Sequence, residues 1–422
     1  MDAKSQPFAG IRVIEFGQFV AVPFCAQLLA QGGAHVIKIE ALEGDPVRQL
    51  GQLAEGETRI FLSRNRGKRS LPLALREPGA AEIIDRLLRD ADVALMNFRP
   101  GLAEGLGLDG PALRRKYPRL VIGTVTPFGE QGPDAHKAGM DTVVQARSGL
   151  MVANGRQDDG RPVPGDPVSA DHMCAMTLAF GIASALLRRE STGEGAEVHT
   201  SLLQAALTIN NSQMLRIDSV EGAKHAEALQ QLNQRRAAGA GYDELRGDNP
   251  AARANSMRSV YFRTYTTRDG WIAVACGSPA LRRRFAGAVG LDDPYFGADF
   301  DGAQEHYAGL GATAEATFAA RTTAEWEAEL DRVGVPASDV KFPLELLDDA
   351  QVLANGMLTD VEHPALGTIR AMAPPLKLDG DGFRTVPATA RFGSETRPIL
   401  ASLGFDDAEV DAFLATGVTR ES

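Results

Sequence analysis

The sequence predicts an α/β protein: a large domain on a parallel, Rossmann-like sheet, plus a smaller α+β domain. Three observations predict it. Short apolar runs alternate with helix-spaced apolar patterns through residues 1–205, the signature of βα units feeding a parallel sheet. One hairpin signal, YFRTYTTRDGWIAVAC, stands late in the chain and belongs to a different architecture. At 422 residues the chain exceeds one ordinary core, so two domains or one elaborated domain is expected.

Taken in order, IRVIEF is a strand, PFCAQLLAQGG a helix closed by glycines, HVIKIE a second strand and KRSLPLAL a third. EPGAAEIIDRLLRDA follows as a helix with Pro78 near its start, and DVALMNF and RLVIGTVTPFG are further strands. Glu40 stands where a ribose-binding acid would sit in a dinucleotide fold. The first turn, FGQFVAVP, lacks GxGxxG, which argues against nicotinamide or flavin chemistry. From Met173 to Leu187 the chain is apolar on nearly every face, so a helix buried all round is expected, followed by a strand and helix in EVHTSLLQAAL. Residues 206–258 read as a polar, partly helical connection. Residues 259–334 read as the small α+β domain, with a hairpin turn at Asp269 and Gly270. Residues 335–422 return to the large domain and end in a short helix near Asp406 to Ala415.

A net charge of -11 argues against a nucleic-acid binder, since phosphate binding needs excess Lys and Arg, while local basic patches can still serve a small phosphorylated ligand. Cys25, Cys174 and Cys276 are widely separated among apolar neighbours and read as reduced core thiols. MDAKSQPFAG is no secretory signal, and the apolar stretches FVAVPFCAQLLA and CAMTLAFGIASALL fall short of the ~20 residues a membrane span needs. A cytoplasmic protein without a membrane segment or metal site is expected.

The chemistry centres on Asp171, a lone acid delivered by RPVPGDPVSAD to the mouth of the apolar helix. It reads either as a helix N-cap or as a carboxylate nucleophile held ionised by the helix dipole. Three further clusters look chemical: the basic run SRNRGKRSL (Arg64, Arg66, Lys68, Arg69), the strand end MNFRPG (Asn97, Phe98, Arg99), and HKAGMD with Lys137, Met140 and Asp141. Basic groups with an amide, an aromatic face and an acid fit an anionic nucleotide ligand.

GIRVIEFGQFVAVPFCAQLLAQGGAHVIKIE, NRGKRSLPLAL, DVALMNFRPGLAEGLGL, the GxxGPxxxKAGMDxVVQARSGLM segment, the Asp171 helix with RRESTGEGAEV, and VGVPAS, GML and EHPALGTIR together resemble the class III CoA-transferase family, of the formyl-CoA:oxalate CoA-transferase type. The likeness covers nearly the whole chain. It implies an acyl-CoA donor, a small carboxylic acid acceptor, and no cofactor beyond coenzyme A itself. Asp171, in GxPVxxD, matches the family's catalytic aspartate, which leaves Asp141 and Asp166 as poorer candidates. It would pass CoA through an aspartyl anhydride and an aspartyl-CoA thioester. The same likeness puts Val20 and Ala21 along the CoA site, Leu73 and Arg76 by the adenine and phosphates, Asn97, Phe98 and Arg99 on the nucleotide and pantetheine, and Lys137, Ala138, Gly139 and Met140 over the other side.

The resemblance also implies an interlocked homodimer. Departures are Val20 where the family type has glutamine, and Ala41 and Gly105 where it has arginines, with Lys38 or the Arg64 to Arg69 run as replacement phosphate ligands. The type's glycine-rich loop has no counterpart around Cys276 to Pro279. A dicarboxylate or hydroxydicarboxylate acceptor with succinyl-CoA as donor is the expected pair. An α-methylacyl-CoA racemase-type isomerase needs a histidine where Met140 stands, and a non-catalytic CoA-binding protein would have no use for the nucleophile.

Overall fold

The computed structural model describes residues 6–247, 257–298 and 300–422. Residues 1–5 of the stretch read for a secretory signal, and 248–256 of the polar connection, lie outside the described residues. The chain divides into two compact units, one of Met1–Arg216 with Leu353–Ser422, the other of Ile217–Val352.

The first unit holds a six-stranded sheet of β1 (Arg12–Glu15), β2 (His35–Glu40), β3 (Lys68–Pro72), β4 (Val93–Met96), β5 (Val121–Thr126) and β6 (Glu197–Ser201), in the order β3-β2-β1-β4-β5-β6. Every pairing is parallel. Parallel strands need crossovers that lay helices on both faces, so their side chains are buried on both sides and the runs read as continuous apolar stretches. Alternation along the strands divides them between two cores. Val13, Val93, Leu95 and Val121 meet α1 (Ala21–Gln31) and α4 (Ser169–Thr192), whereas Ile14, Ala94, Met96 and Ile122 meet α2 (Pro78–Arg89) and residues of the C-terminal tail. Gly123 sits where a Cβ would lie 2.7 Å from Leu95 Cδ2, 3.0 Å from Ile182 Cδ1 and 3.2 Å from Leu178 Cδ1, so its lack of a side chain lets α4 lie close on the sheet.

The α4 helix corrects two expectations. It runs for 24 residues, long and apolar enough to cross a bilayer, because polar residues on both sides of the apolar run continue the helix. It is not buried all round either. Cys174, Leu178 and Ile182 are fully buried against the sheet, while Met176, Phe180 and Leu187 are 42%, 76% and 75% exposed on the other side. Apolar composition on every face announces a partner for every face, but this chain covers only one.

The C-terminal tail packs on the first unit. Gly67 N–H donates to the Pro387 carbonyl (2.8 Å) and Ala74 N–H to that of Val418 (2.8 Å). In the second unit, Phe262–Thr266, Trp271–Ala275 and Ala337–Asp339 form an antiparallel sheet over an aromatic core. There Tyr265 stacks on Phe318 at 4.3 Å, and Trp326 donates its indole N–H to the Phe318 carbonyl. Within the polar connection, Asp218–Ala237 is a 20-residue helix with no buried side chain, formed by a run rich in Ala, Glu, Gln and Leu.

Candidate active site

The strand order reverses between β1 and β4, the place where open α/β sheets leave a crevice at their carboxyl ends. The loop after β1 and the loop after β4 are clipped together there. Gln18 N–H donates to Asn97 Oδ1 (3.0 Å), and Asn97 Nδ2 donates back to the Gln18 carbonyl (2.9 Å). Asn97 therefore shapes the crevice with its amide. Phe98 packs on Phe16 at 5.7 Å between ring centroids, and Arg99 is exposed beside it. Phe19 takes a left-handed backbone (φ 66°), a strain of roughly 1–3 kcal/mol, and α1 begins directly after with Val20 as an N-cap that offers no side-chain acceptor. The N–H groups of Ala21 and Val22, the first of α1, thus have no capping side chain, and Pro23 at the third position has no N–H to satisfy.

Four of the expected CoA contacts need correction on this geometry. The side chains of Val20, Ala21 and Leu73 are only 7%, 2% and 1% exposed and belong to the cores, so a ligand there meets backbone alone. Lys38 is no phosphate ligand. Its ammonium is fully buried, bonded to Glu15 Oε1 (3.1 Å), Asp45 Oδ2 (2.9 Å) and the Gly17 carbonyl (2.6 Å). Burial opposes its charge, yet Glu15, Asp45 and Glu40 outweigh that and raise its pKa. Most of the basic run is spent in the same way: Lys68 lies 2.7 Å from Glu15 Oε2, Arg66 is 3% exposed and donates to the Met372 carbonyl, and Arg69 pairs with Glu395 at 2.7 Å. Beside them Glu40 takes Arg48 (2.8 and 3.0 Å), the Ser70 hydroxyl (2.6 Å) and Asp45 N–H (2.9 Å). Burial pushes Glu40 upward, but Arg48, Lys38 and Ser70 reverse this and bring its pKa down to about 2.

Asp171 has the opposite surroundings. It is the third residue of α4, the N-cap is Val168, and no side chain caps the helix, so the capping reading is set aside. Its half-buried carboxylate forms no ion pair among the described residues. Burial and the charge of Asp141 push its pKa up to about 7, with Arg64 pulling the other way. This reverses the expectation that the helix terminus alone holds it ionised. Asp141, buried at the start of α3 (Asp141–Arg147), accepts the Asp171 backbone N–H at 3.0 Å and a hydrogen bond from Gln145. Gln145 then accepts from Gly165 N–H at 2.8 Å and so ties the segment leading into α4 to the same helix. Asp141 is a positioning group, which the sequence offers only as part of the HKAGMD cluster and as a rival nucleophile; its spacing of four from Gln145 on a helix was the available signal. Asp166 is exposed. Cys174 is buried, and burial with the Asp171 charge pushes its thiol up to about 12, which leaves it inert as a nucleophile.

The remaining expected contacts lie on the surface. Arg76 is exposed after β3, Ala138 and Met140 are exposed, and Lys137 pairs with Asp134 at 2.6 Å. Gly139 allows a close approach: a Cβ there would stand 2.8 Å from Pro127 and 3.1 Å from the Phe128 ring. Among the described residues no cluster of His, Cys, Asp and Glu could hold a metal ion.

Residues 8–394 match the family model described as CoA-transferase family III. The chain is 30% identical to succinyl-CoA--D-citramalate CoA-transferase of Chloroflexus aurantiacus, covering 95% of this chain and 96% of that one. It is 27% identical to mouse (Mus musculus) succinyl-CoA:glutarate CoA-transferase, over 99% and 91%. Among solved structures it is similar to Rv3272 from Mycobacterium tuberculosis (TM-score 0.73, 27% identity, 93% of this chain and 98% of that) and to a CAIB/BAIF family protein from Brucella suis (TM-score 0.73, 26% identity, 94% and 99%). A parallel sheet with its crevice at the switch point, an uncompensated aspartate at the head of the core helix and a match across residues 8–394 converge: the chain belongs to CoA-transferase family III.

Proposed function

We propose that the enzyme moves coenzyme A from an acyl-CoA to a carboxylic acid with Asp171 as the covalent carrier. The observation that carries this is a half-buried carboxylate, unpaired with any cation among the described residues and raised to about 7, at the head of α4. A carboxylate of that pKa is about half ionised at neutrality, and its anion is a better nucleophile than that of an ordinary aspartate. Its oxygen attacks the thioester carbonyl and expels CoA thiolate, giving an acyl-aspartyl anhydride. The thiolate then attacks the aspartyl carbonyl, releasing the donor acid and leaving an aspartyl-CoA thioester. The acceptor carboxylate attacks that thioester, and the returning thiolate takes the acceptor's acyl carbon and frees Asp171. Every nucleophile is an anion and no net proton moves, so no general acid or base is needed. Oxyanions would be held by backbone N–H groups such as those opening α1.

The relatives named for succinyl-CoA with glutarate or D-citramalate support succinyl-CoA as donor and a dicarboxylate as acceptor. A racemase reading lacks its second acid/base, since Met140 carries no proton, and a non-catalytic CoA binder leaves Asp171 without a role. The exposed apolar side of α4 supports a homodimer in which a second copy covers Met176, Phe180 and Leu187, and a cytoplasmic site of action fits a CoA-dependent exchange of acids. Incubation with succinyl-CoA followed by hydroxylamine and peptide mass spectrometry should mark Asp171. A mark on Asp141, Asp166 or Cys174 would sink the assignment.

A further inference from the structure

We infer that Arg64 is the specificity-determining residue for the acid, binding a second carboxylate at the far end of the group that Asp171 activates. The inference rests on Asp171 being the nucleophile. Arg64 follows the short helix Arg59–Leu62, its backbone N–H held by the Phe61 carbonyl at 3.1 Å. Lys68 and Arg69 are committed to Glu15 and Glu395, whereas Arg64 and Arg66 make no ion pair with any acid among the described residues; Arg66 gives one terminal nitrogen to the Met372 carbonyl and keeps Nε and Nη1 buried without a partner, and of the two only the Arg64 charge acts on Asp171. One terminal nitrogen of Arg64 makes a long contact to the Ile60 carbonyl (3.4 Å), and its Nε is buried with no partner. A partly desolvated guanidinium with an idle N–H calls for an anion.

The surrounding contacts say which anion. Arg66 N–H bonds to Gln27 Oε1 (3.0 Å) and Lys68 to the Pro23 carbonyl (2.8 Å), which seats the segment after Arg64 on the first turns of α1. On the same turns the His172 ring packs edge-on against Phe24 at 5.2 Å and puts Asp171 alongside. The Arg64 charge is felt at both Asp171 and His172, yet its nitrogens stay beyond ion-pairing distance of the Asp171 carboxylate. The two charges are thus near each other and unpaired, which is what a ligand bridging them requires. Asp171 marks the thioester end of the acyl-CoA, separated from the CoA phosphates by the whole pantetheine arm, so the anion that reaches Arg64 belongs to the acid. A short diacid spans the pair, with one carboxylate exchanging on Asp171 and the other bidentate on the guanidinium fork.

The test compares two isotope exchanges on the full chain, succinyl-CoA with labelled succinate and butyryl-CoA with labelled butyrate, which differ only in the distal carboxylate. The wild type should favour the succinate pair by about 100-fold in kcat/KM. Arg64→Met should erase most of that preference, chiefly through KM, while leaving the butyrate exchange within about threefold. Arg64→Lys should recover about tenfold of the succinate rate, because a point charge replaces the fork. Equal loss on both pairs in Arg64→Met and Arg64→Lys, or a wild type indifferent to the distal carboxylate, would overturn Arg64's role even if Asp171 is still marked by hydroxylamine. No mark on Asp171 in the wild type would remove the nucleophile, and this inference with it.

Discussion

Two groups of buried or half-buried carboxylates in the first unit have opposite fates. At the ends of β1 and β2, Glu15, Glu40 and Asp45 are surrounded by Lys38, Lys68 and Arg48, and Glu40 is pulled down to about 2. At the head of α4, Asp171 has a second acid against its backbone and no paired cation, and is pushed up to about 7. Burial acts on both in the same direction; what separates them is whether counter-charges were supplied. The first arrangement fixes the loops around the crevice, and the second stores a reactive anion. Saturated charge is structural here, and unsaturated charge is chemical.

The sharpest way to break this contrast is to exchange the acids for amides. Asp171→Asn should lower transfer activity by about 10⁴-fold or more, measured by succinyl-CoA consumption, because an amide forms no anhydride. Glu15→Gln should act on stability instead. Removing one member of a buried ionic cluster leaves Lys38 and Lys68 undercompensated and should cost about 3–5 kcal/mol in denaturant unfolding. An unchanged unfolding midpoint would mean that the cluster is not the structural half of the pair.

The pH dependences should also run in opposite senses. Glu40 has a folded pKa below its unfolded one, so its stabilisation is present above about pH 4.5 and is lost as pH falls toward about 2. Asp171 has a folded pKa above its unfolded one, so it destabilises the fold once pH exceeds its unfolded value, fully so above about 7. Asp171→Asn should therefore be more stable than wild type by roughly 1–3 kcal/mol at pH 8 and equal to it near pH 4. The wild-type kcat/KM should climb about tenfold per pH unit below about 7 and then level. Asp141→Asn should move that midpoint downward, since it removes the neighbouring charge. The smallest effect is expected at the rim, where exposed Arg99→Ala should raise the KM for acyl-CoA about fivefold with kcat unchanged.

Much of this was legible in the chain. β1 to β5 stand out because apolar runs are bounded by Gly, Pro and charged residues, and Asp171 stands out because an acid opening an apolar helix is conspicuous. The one-sided burial of α4 was not legible, since Met176 and Phe180 look as apolar as Leu178 and Ile182 and only packing tells them apart. Lys38 and Lys68 look like surface bases because Glu15, which neutralises both, comes from another strand. Asp141 and Arg64 stood out as members of charged clusters but without their roles, because which charges go unpaired, and which acid lies beside Asp171, is visible only in three dimensions.

The bonds from Gly67 to Pro387 and from Ala74 to Val418 join the third strand's surroundings to the end of the chain. During synthesis the second unit, contiguous from Ile217 to Val352, has all its own residues in hand well before the first has. The part made before the second unit is thus completed after it: the sheet carrying the crevice must wait, its edge uncovered, until Pro387 and Val418 have been made.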